Sequence, residues 1–339
     1  MRIKDIAKIL NVSPSTVSKA LNNRPGVNPA LREKIIKTAQ KLNYKKDMIA
    51  SSLRTTKSHI IGIVIPDVSN SFFGRLVLSI EKILYQRNYR YILSNTDEEI
   101  KKEQEYVLTF MKYNTDGIIT ATSAVSGRQR VSRYYRDFLS QGKPVVFVDR
   151  VIEGLDASYV IVDNAGAIYE AVVYLKDRGH RKIGAIIGPN NIYTSKKRFE
   201  GFTKAIKDLN LKTREDWILR GEYSIDISRK VTKEMFNRTK DLPTALISFN
   251  NIMTIGVLEA FEDLGVKIPD DISLISFDDT PWHRFSKVPI TSIEQPVEEM
   301  GIIAATILMD LLNSSKRENR KVVLKARLIE RGSVSYLKN

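Results

Sequence analysis

A short apolar segment occurs twice in this chain, and the two copies constrain its fold more than any other feature. Residues 61–66 read Ile-Gly-Ile-Val-Ile-Pro, and residues 183–189 read Ile-Gly-Ala-Ile-Ile-Gly-Pro. A continuous apolar run of this kind, ended by turn residues, is typical of a strand buried on both faces of a parallel sheet. Its repetition predicts two similar lobes, each with its own sheet, instead of one large sheet.

Predicted strands and amphipathic helices alternate around both segments. In the first half we expect strands at 60–66, 91–94, 117–121, 144–149 and 160–163, and helices at 73–87 and 101–111. In the second half we expect strands at 183–188, 245–249 and 272–277, and helices at 197–209 and 253–264. Such alternation is typical of βαβ units with parallel strands. It predicts an α/β core with parallel sheets over residues 59–334.

The positive charge of the chain is concentrated at its N-terminal end. Residues 1–58 contain 13 Lys or Arg and 3 Asp or Glu, a net charge of +10, whereas the other 281 residues contribute only +5. A basic segment attached to a nearly neutral body is typical of a protein that binds a polyanion such as nucleic acid. The alternative, a basic surface without a specific partner, would spread the charge evenly along the chain.

Three short helices are predicted within this basic segment. Asn11 lies between the first two helices, where a tight turn needs a residue with a left-handed backbone conformation. Asn adopts this conformation more readily than most residues. Ser13 suits the N-cap of the second helix and Pro14 its first position, and a third helix follows Asn28. This is the helix-turn-helix plan, whose second helix enters the major groove of DNA. Spacing alone would equally suit a three-helix bundle with a solvated polar face, and the charge favours DNA binding.

The N-terminal segment resembles the headpiece of the lactose-repressor (LacI/GalR) family. Residues 3–7 (Ile-Lys-Asp-Ile-Ala) and 12–22 (Val-Ser-Pro-Ser-Thr-Val-Ser-Lys-Ala-Leu-Asn) carry the similarity, which continues through 42–44 and 49–54. The resemblance implies an all-α headpiece over residues 1–45. It also implies a hinge helix over 46–58 that orders on DNA and inserts a leucine into the minor groove.

The headpiece and the hinge each depart once from the family pattern. Asn11 replaces the usual turn glycine, and Lys46-Asp47 replaces the usual Pro-Asn. The hydroxyl groups and the cation on the exposed face of the second helix suit phosphates and base edges. Together with the hinge positions, the residues expected to contact DNA are Ser13, Ser15, Thr16, Ser18, Lys19, Asn22, Ala50 and Leu53.

Polar and aromatic side chains follow the predicted strands of the core. Open α/β sheets bind ligands at the carboxyl ends of their strands, and carboxylates, guanidinium groups and flat aromatic faces together suit a polyhydroxylated ligand. Each residue alone is a weak indication, because a lone Asp after a strand is more often a helix N-cap. Taken together they favour an effector pocket. The residues are Asn70, Phe72, Phe73, Asp149, Arg150, Arg198, Tyr223, Asn250, Asp278 and Trp282.

The core also resembles the regulatory core of the LacI/GalR family, through residues 67–73, 179–183, 198–202 and 276–279. That core is similar to periplasmic sugar-binding proteins, with two lobes, three crossovers and a ligand in the cleft. The resemblance adds Gln295 to the effector positions. It implies an N-lobe of about 59–161 plus 292–322 and a C-lobe of about 162–291 plus 323–334.

Two further departures concern the ligand. Ser71 replaces a usual proline, and Asn251 replaces the Asp that commonly follows the equivalent of Asn250. Loss of that carboxylate beside Lys196, Lys197 and Arg198 predicts tolerance of an anionic sugar, either a sugar acid or a sugar phosphate. The expected effector is therefore a sugar or one of these anionic derivatives.

Several classes of protein are disfavoured by what the sequence lacks. It has no cysteine, no glycine-rich phosphate loop, no nucleophile elbow and no zinc-protease motif, so we expect no enzyme activity, no cofactor and no metal site. No apolar run approaches the ~18 residues of a membrane helix, and no signal peptide is evident. A secreted sugar receptor would share the core but would have no use for residues 1–58. We expect a cytoplasmic protein without a membrane partner.

The expected function is a sequence-specific, DNA-binding transcription regulator whose operator affinity responds to a small effector. The family resemblance implies a repressor that binds a near-palindromic operator as a homodimer. Six residues follow Ser333 without a heptad pattern, which favours a dimer over a tetramer. Whether the effector releases or promotes DNA binding stays open at this stage, as does control by a protein partner.

Overall fold

The structure is a computed structural model that describes residues 3–21, 23–42, 44, 57–124, 130–314 and 318–337. The chain divides into two compact units, Met1–Ser58 and His59–Asn339, and each unit has its own apolar core. Nearly all of the hinge helix expected over 46–58 lies outside the described residues.

The first unit is a bundle of three short helices, α1 (Ile3–Ile9), α2 (Pro14–Leu21) and α3 (Pro29–Lys41). Asn11 has a positive φ of 50°, as the turn between α1 and α2 requires. The Ser13 hydroxyl accepts a hydrogen bond from the Thr16 N–H at 3.0 Å, and the Asn28 side chain caps α3. The buried apolar residues between the helices are Ile6, Ala7, Val17, Ala20, Ile35 and Ala39.

The first lobe of the second unit has a six-stranded sheet in which all neighbouring strands are parallel. Its strands are β1 (Ile60–Ile65), β2 (Arg90–Asn95), β3 (Gly117–Thr120), β4 (Val145–Val148), β5 (Ser158–Val162) and β11 (Lys321–Leu324). Their spatial order is β11-β5-β4-β3-β1-β2. One face packs against α4 (Ser71–Gln86) and α12 (Val297–Asn313), and the other against α5 (Ile100–Lys112) and α6 (Arg130–Ser140).

The second lobe repeats this plan with one antiparallel strand at its edge. Its strands are β6 (Ile183–Ile187), β7 (Ile218–Arg220), β8 (Ala245–Ser248), β9 (Ser273–Phe277), β10 (Thr291–Glu294) and β12 (Arg327–Ile329), in the order β12-β10-β9-β8-β6-β7. The surrounding helices are α7 (Asn164–Asp177), α8 (Tyr193–Asp208), α9 (Ile225–Arg238), α10 (Asn251–Leu264) and the short α11 (Pro281–Phe285). The prediction of two α/β lobes with parallel sheets is confirmed.

The chain passes between the two sheets three times. It leaves the first sheet after β5, returns after β10 and leaves again after β11. The sequence expectation assigned residues 292–322 to the first lobe, whereas β10 pairs with β9 and β12 in the second sheet. It also ended the first lobe at residue 322, within β11, which pairs with β5 as far as Leu324. In the described ranges, no helix is long and apolar enough to span a membrane.

Candidate functional site

A cavity of about 320 Å³ lies between the carboxyl ends of the two sheets. Its walls come from both lobes, because the first residues after β1, β2 and β4 face those after β8 and β9. Ten of the eleven residues expected to bind an effector line this cavity: Asn70, Phe72, Phe73, Asp149, Arg150, Arg198, Tyr223, Asn250, Asp278 and Gln295. The remaining lining residues, which sequence reasoning did not name, are Pro66, Asp67, Asp97, Glu98, Thr194, Glu222 and Ile252.

Trp282 is the one expected effector residue that does not line the cavity. It belongs to α11, and its ring stacks on the ring of buried His283 with centroids 3.9 Å apart and planes 20° apart. The imidazole is fixed in turn by hydrogen bonds with the Thr280 N–H and hydroxyl. The indole therefore contributes to the packing around α11 and does not form part of the cavity wall.

The backbone at the strand ends is unusual for residues with side chains. Asp149, Tyr223 and Asp278 have φ values of 65°, 55° and 70°, and each lies within three residues of the end of its strand. Residues other than glycine rarely adopt this left-handed conformation, and such strain concentrates at binding sites. The turn of the backbone brings each side chain to the cavity wall.

Buried Arg150 is held in an ion pair with half-buried Glu98. Its terminal nitrogens Nη1 and Nη2 donate to the two oxygens of Glu98 at 2.6 and 2.7 Å. The Arg150 side chain is only 4% exposed, and Nε lies 3.4 Å from an oxygen of Asp149. Sequence reasoning named Arg150 and Asp149 but missed Glu98, although Glu98 follows the end of β2 as the strand-end rule requires.

Arg198 is the second buried arginine of the cavity. Its Nε donates to the Asn164 side chain at 2.8 Å, and its Nη1 donates to the carbonyl of Phe249. The guanidinium carbon lies 3.5 Å from the ring centroid of Phe277, a cation–π contact. These contacts hold Arg198 rigidly beside the acidic residues of the cavity.

Asp149 and Asp278 are buried carboxyl groups on opposite lobes. Burial raises the pKa of Asp149 to about 6, although the nearby cations Arg150 and Arg198 lower it in part. Burial also raises the pKa of Asp278, which accepts a hydrogen bond from Gln295 Nε2 at 2.6 Å. The Oε1 of Gln295 is buried and has no hydrogen-bond partner among the described residues. It is thus available to accept a hydrogen bond from a ligand hydroxyl.

An amide pair joins the two lobes at the edge of the cavity. Asn70 Nδ2 donates to Asn251 Oδ1 at 3.4 Å, and Asn251 Nδ2 donates to Asn70 Oδ1 at 3.1 Å. Asn70 also caps α4, and Asn250 caps α10 through the Met253 N–H. Asn70 and Asn250 therefore both cap a helix, as the sequence left open, and both also line the cavity.

The predicted DNA-contact residues that the structure describes lie at the start and along one side of α2. Ser13, Ser15 and Lys19 are exposed, and Thr16 is half-buried. The Ser13 hydroxyl lies 2.7 Å from that of Ser15 and 2.8 Å from that of Thr16, so the three form one polar cluster. Half-buried Ser18 completes the described set, and Asn22, Ala50 and Leu53 lie outside the described residues.

Comparison with known proteins decides the family. Residues 2–47 match the family described as bacterial regulatory proteins, lacI family, and residues 172–334 match the periplasmic binding protein-like domain. The HTH-type transcriptional repressor PurR of Photobacterium profundum is 30% identical over 338 residues, which cover 99% of each chain. The chain belongs to the lacI family. It is a DNA-binding transcriptional regulator with an effector-binding, periplasmic-binding-like core.

Solved structures agree on the fold. The lac repressor dimer bound to operator and the anti-inducer ONPF superposes with a TM-score of 0.86 at 21% identity, covering 99% of each chain. A lacI-family regulator from Enterococcus faecium with bound ribose gives a TM-score of 0.72 at 26% identity, covering 82% of this chain and 100% of the other. Regulators of the lacI family bind operator DNA and small-molecule effectors as dimers.

The cavity of this lacI-family regulator is acidic. Two arginines face six carboxyl groups, those of Asp67, Asp97, Glu98, Asp149, Glu222 and Asp278. Lys196 and Lys197 are not among the lining residues, and they lie 3.6 Å from Glu153 and 2.9 Å from Glu200, respectively. Asn251 bonds to Asn70 and does not line the cavity. Of the three cations that favoured an anionic sugar in the sequence, only Arg198 therefore lines the cavity.

The same cavity provides no grouping that suggests a metal centre. Among the described residues, no three His, Asp or Glu side chains are placed so that they could hold a metal ion. The acidic residues of the cavity instead bond to arginine and amide groups, as Glu98 and Asp278 do.

Proposed function

We propose that this lacI-family regulator is a repressor of a near-palindromic operator, controlled by an uncharged carbohydrate-like effector in the cleft between its lobes. The observation that carries the proposal is the cavity lining, in which buried carboxyl, amide and guanidinium groups from both lobes converge beside aromatic rings. Several relatives of similar length are named transcriptional repressors, which supports the direction of regulation.

The chemistry of the lining supports a polyhydroxylated effector. Asp149, Asp278 and Gln295 Oε1 offer acceptors for ligand hydroxyl groups, and Arg198 offers a donor. Phe72 and Phe73 present two rings at an interplanar angle of 86°, which suits the C–H face of a sugar. The bound ribose of the Enterococcus faecium regulator agrees with this interpretation. Excess negative charge in the cavity disfavours sugar acids and sugar phosphates.

The effector would act by changing how the two lobes fit together. The contacts between the lobes include the Asn70–Asn251 amide pair and the contact between Lys196 and Glu153. A ligand that bonds to Asp149 on one lobe and Asp278 on the other adds a new connection and shifts the balance between lobe arrangements. The coupling is reciprocal, so an effector that weakens operator binding is itself bound more weakly in the presence of operator.

An exposed apolar surface on the first lobe supports assembly as a homodimer. Leu78 and Tyr85 lie on the same face of α4, and their side chains are 69% and 63% exposed. Tyr91 and Leu93 lie on the edge strand β2, on the sheet face that α4 covers. Apolar side chains gathered in this way mark protein–protein contacts more often than free surface. A two-fold pair of chains would present two headpieces to the two halves of a palindrome.

Selection from a random DNA pool tests the regulatory proposal. The full chain should enrich near-palindromic sequences with two similar half-sites, and a pool without such symmetry would contradict the dimeric repressor. A thermal-shift screen with neutral sugars, sugar acids and sugar phosphates then tests the effector. A ligand at about 100-fold its dissociation constant should stabilise the fold by about 2.7 kcal/mol.

Each hit is then titrated into the complex of protein and selected DNA. Release of the DNA by a neutral sugar would support an inducer, and tighter binding would identify a corepressor. Silence of all neutral sugars would contradict the carbohydrate proposal and leave DNA binding intact.

A further inference from the structure

We propose that Glu98 is a specificity residue that excludes anionic effectors from the cleft by occupying the guanidinium group of Arg150. The inference rests on the proposed function of the cavity as an effector site and concerns the ligands that do not bind there. An arginine in a binding cavity ordinarily attracts carboxylate and phosphate groups, because its planar fork matches their oxygens. Here that fork is already filled by a side chain of the same protein.

The geometry of the pair leaves little of Arg150 for a ligand. Both terminal nitrogens donate to Glu98, at 2.6 and 2.7 Å, and Nε lies 3.4 Å from an oxygen of Asp149 without a hydrogen bond. The rings of Phe73 and Tyr223 lie near this pair, each with its centroid 6.0 Å from the guanidinium carbon. The positive charge is therefore matched by two carboxyl groups and lies close to two rings.

Glu98 is held in place by a buried polar cluster behind the cavity. The Ser123 hydroxyl donates to Glu98 at 3.0 Å, and the Ser123 N–H donates to Glu103 at 2.9 Å. Glu103 is fully buried and accepts two more hydrogen bonds, from the hydroxyls of Thr122 and Tyr135, both at 2.6 Å. The cluster fixes Ser123, which in turn fixes Glu98. Such support makes the ion pair rigid before any ligand arrives.

No other described residue that lines the cavity replaces Arg150 as a two-pronged partner for an anionic ligand. Arg198 donates Nε to Asn164 and Nη1 to the carbonyl of Phe249, so it offers a ligand one terminal nitrogen and not the two-pronged fork that a carboxylate or phosphate matches. An incoming phosphate must therefore separate half-buried Glu98 from buried Arg150, which leaves both charges without their partner, or lie among the remaining acidic groups. Both outcomes are unfavourable. Discrimination of this kind arises from repulsion of the wrong ligand as much as from attraction of the right one.

Inorganic phosphate is the probe that tests the proposal without knowledge of the natural effector. We compare the full-length wild type with Glu98→Gln, which keeps the shape of the side chain and removes its charge. The matched control is Asp97→Asn, which removes one carboxylate from the same cavity wall but from a residue that pairs with Lys102. Phosphate is titrated at constant ionic strength, and binding is followed by thermal shift and by calorimetry.

We expect saturable phosphate binding by Glu98→Gln that is at least about tenfold tighter than by wild type or Asp97→Asn, a difference of about 1.4 kcal/mol. The double variant Glu98→Gln/Arg150→Gln should lose this gain, which would locate the phosphate at Arg150. Cooperative melting of each variant shows that it is folded.

Three results would overturn the proposal. They are phosphate binding by the wild type that is as tight as binding by Glu98→Gln, an equal gain in Asp97→Asn, and a folded Glu98→Gln protein without any gain. Failure of the carbohydrate proposal is seen separately, as silence of the wild type towards neutral sugars, because the phosphate titration uses no sugar.

Discussion

At the scale of single residues, Asp149 is a buried carboxyl group whose ionisation opposes folding. Its pKa is raised by burial to about 6 in the folded protein, against an ordinary value near 3.9. The folded state therefore binds this proton more tightly than the unfolded chain does. The stabilising contribution is complete below about pH 4 and is lost as the pH rises through about 6.

We therefore predict that Asp149→Asn changes the pH dependence of stability. The free energy of unfolding of the variant minus that of wild type should grow between about pH 4 and pH 6, by about 3 kcal/mol, and stay level above. Urea unfolding at several pH values measures this difference. Asp137→Asn, on an exposed part of α6, serves as control. A difference that does not vary with pH would contradict the raised pKa.

The cavity residues also show how far single positions could be predicted. Ligands of open α/β sheets bind at the carboxyl ends of the strands, and this rule depends only on where a buried strand stops. It therefore placed Asp149, Asn250 and Asp278 correctly at the cavity. Applied to β2, the same rule would have found Glu98. Trp282 was misplaced because stacking on His283 depends on how α11 turns after β9, and no short-range pattern encodes that turn.

At the scale of elements, close helix packing depends on particular glycines. A Cβ at Gly256 of α10 would lie 2.2 Å from the carbonyl of Ile225 and 2.8 Å from the Cβ of Ser228, both in α9. Gly74 of α4 has no such neighbour within 4 Å and has no positive φ. We predict that Gly256→Ala lowers the free energy of unfolding by about 1–3 kcal/mol through overpacking. Gly74→Ala should be neutral or stabilise by up to about 1 kcal/mol. Denaturant unfolding compares the two, and equal effects would contradict the packing argument.

The second prediction at this scale concerns α2, the helix that we expect to enter the major groove of DNA. Lys19 is exposed near the end of α2, on the surface predicted to contact DNA. Lys19→Ala should weaken operator binding and reduce the slope of log affinity against log salt by about one unit, since one phosphate contact is lost. Lys37→Ala removes an exposed lysine of α3 that pairs with Glu33 and is the control. Filter binding or anisotropy over a salt series measures both slopes, and equal slopes in the two variants would argue against a phosphate contact by Lys19.

At the scale of the whole molecule, we predict that the apolar surface of α4 and β2 holds the dimer together. The double variant Leu78→Asp/Tyr85→Asp should elute with the mass of one 38.6 kDa chain, whereas the wild type elutes with twice that mass. Operator affinity should fall by about 100-fold or more, because two linked headpieces bind far more tightly than one. Light scattering after gel filtration measures the mass.

Tyr113→Asp provides the matched control for the dimer surface. Tyr113 is 62% exposed, close to the value for Tyr85, but it follows α5 on the opposite face of the first sheet. This variant should remain dimeric. If both variants are dimers, the dimer interface does not lie on α4 and β2, and the prediction is wrong.

The sequence by itself determined the features that depend on neighbouring residues. The caps of α2 and α3 at Ser13 and Asn28 involve partners within three positions, and the buried strands are continuous apolar runs. The concentration of charge in the first 58 residues is likewise visible without any coordinates. From these, the two-part architecture, the helix-turn-helix and the general position of the cavity all followed.

The tertiary structure decided which distant residues meet. Glu98 and Arg150 are 52 positions apart, and Asn70 and Asn251 are 181 apart. The sheet to which β10 belongs was likewise fixed by its pairing with β9 and β12 and not by its own composition. These contacts set the charge of the cavity and the connection between the lobes. They could not be predicted because an ion pair or an amide pair needs two side chains to converge in space, and only the packing of complete sheets and helices brings them together.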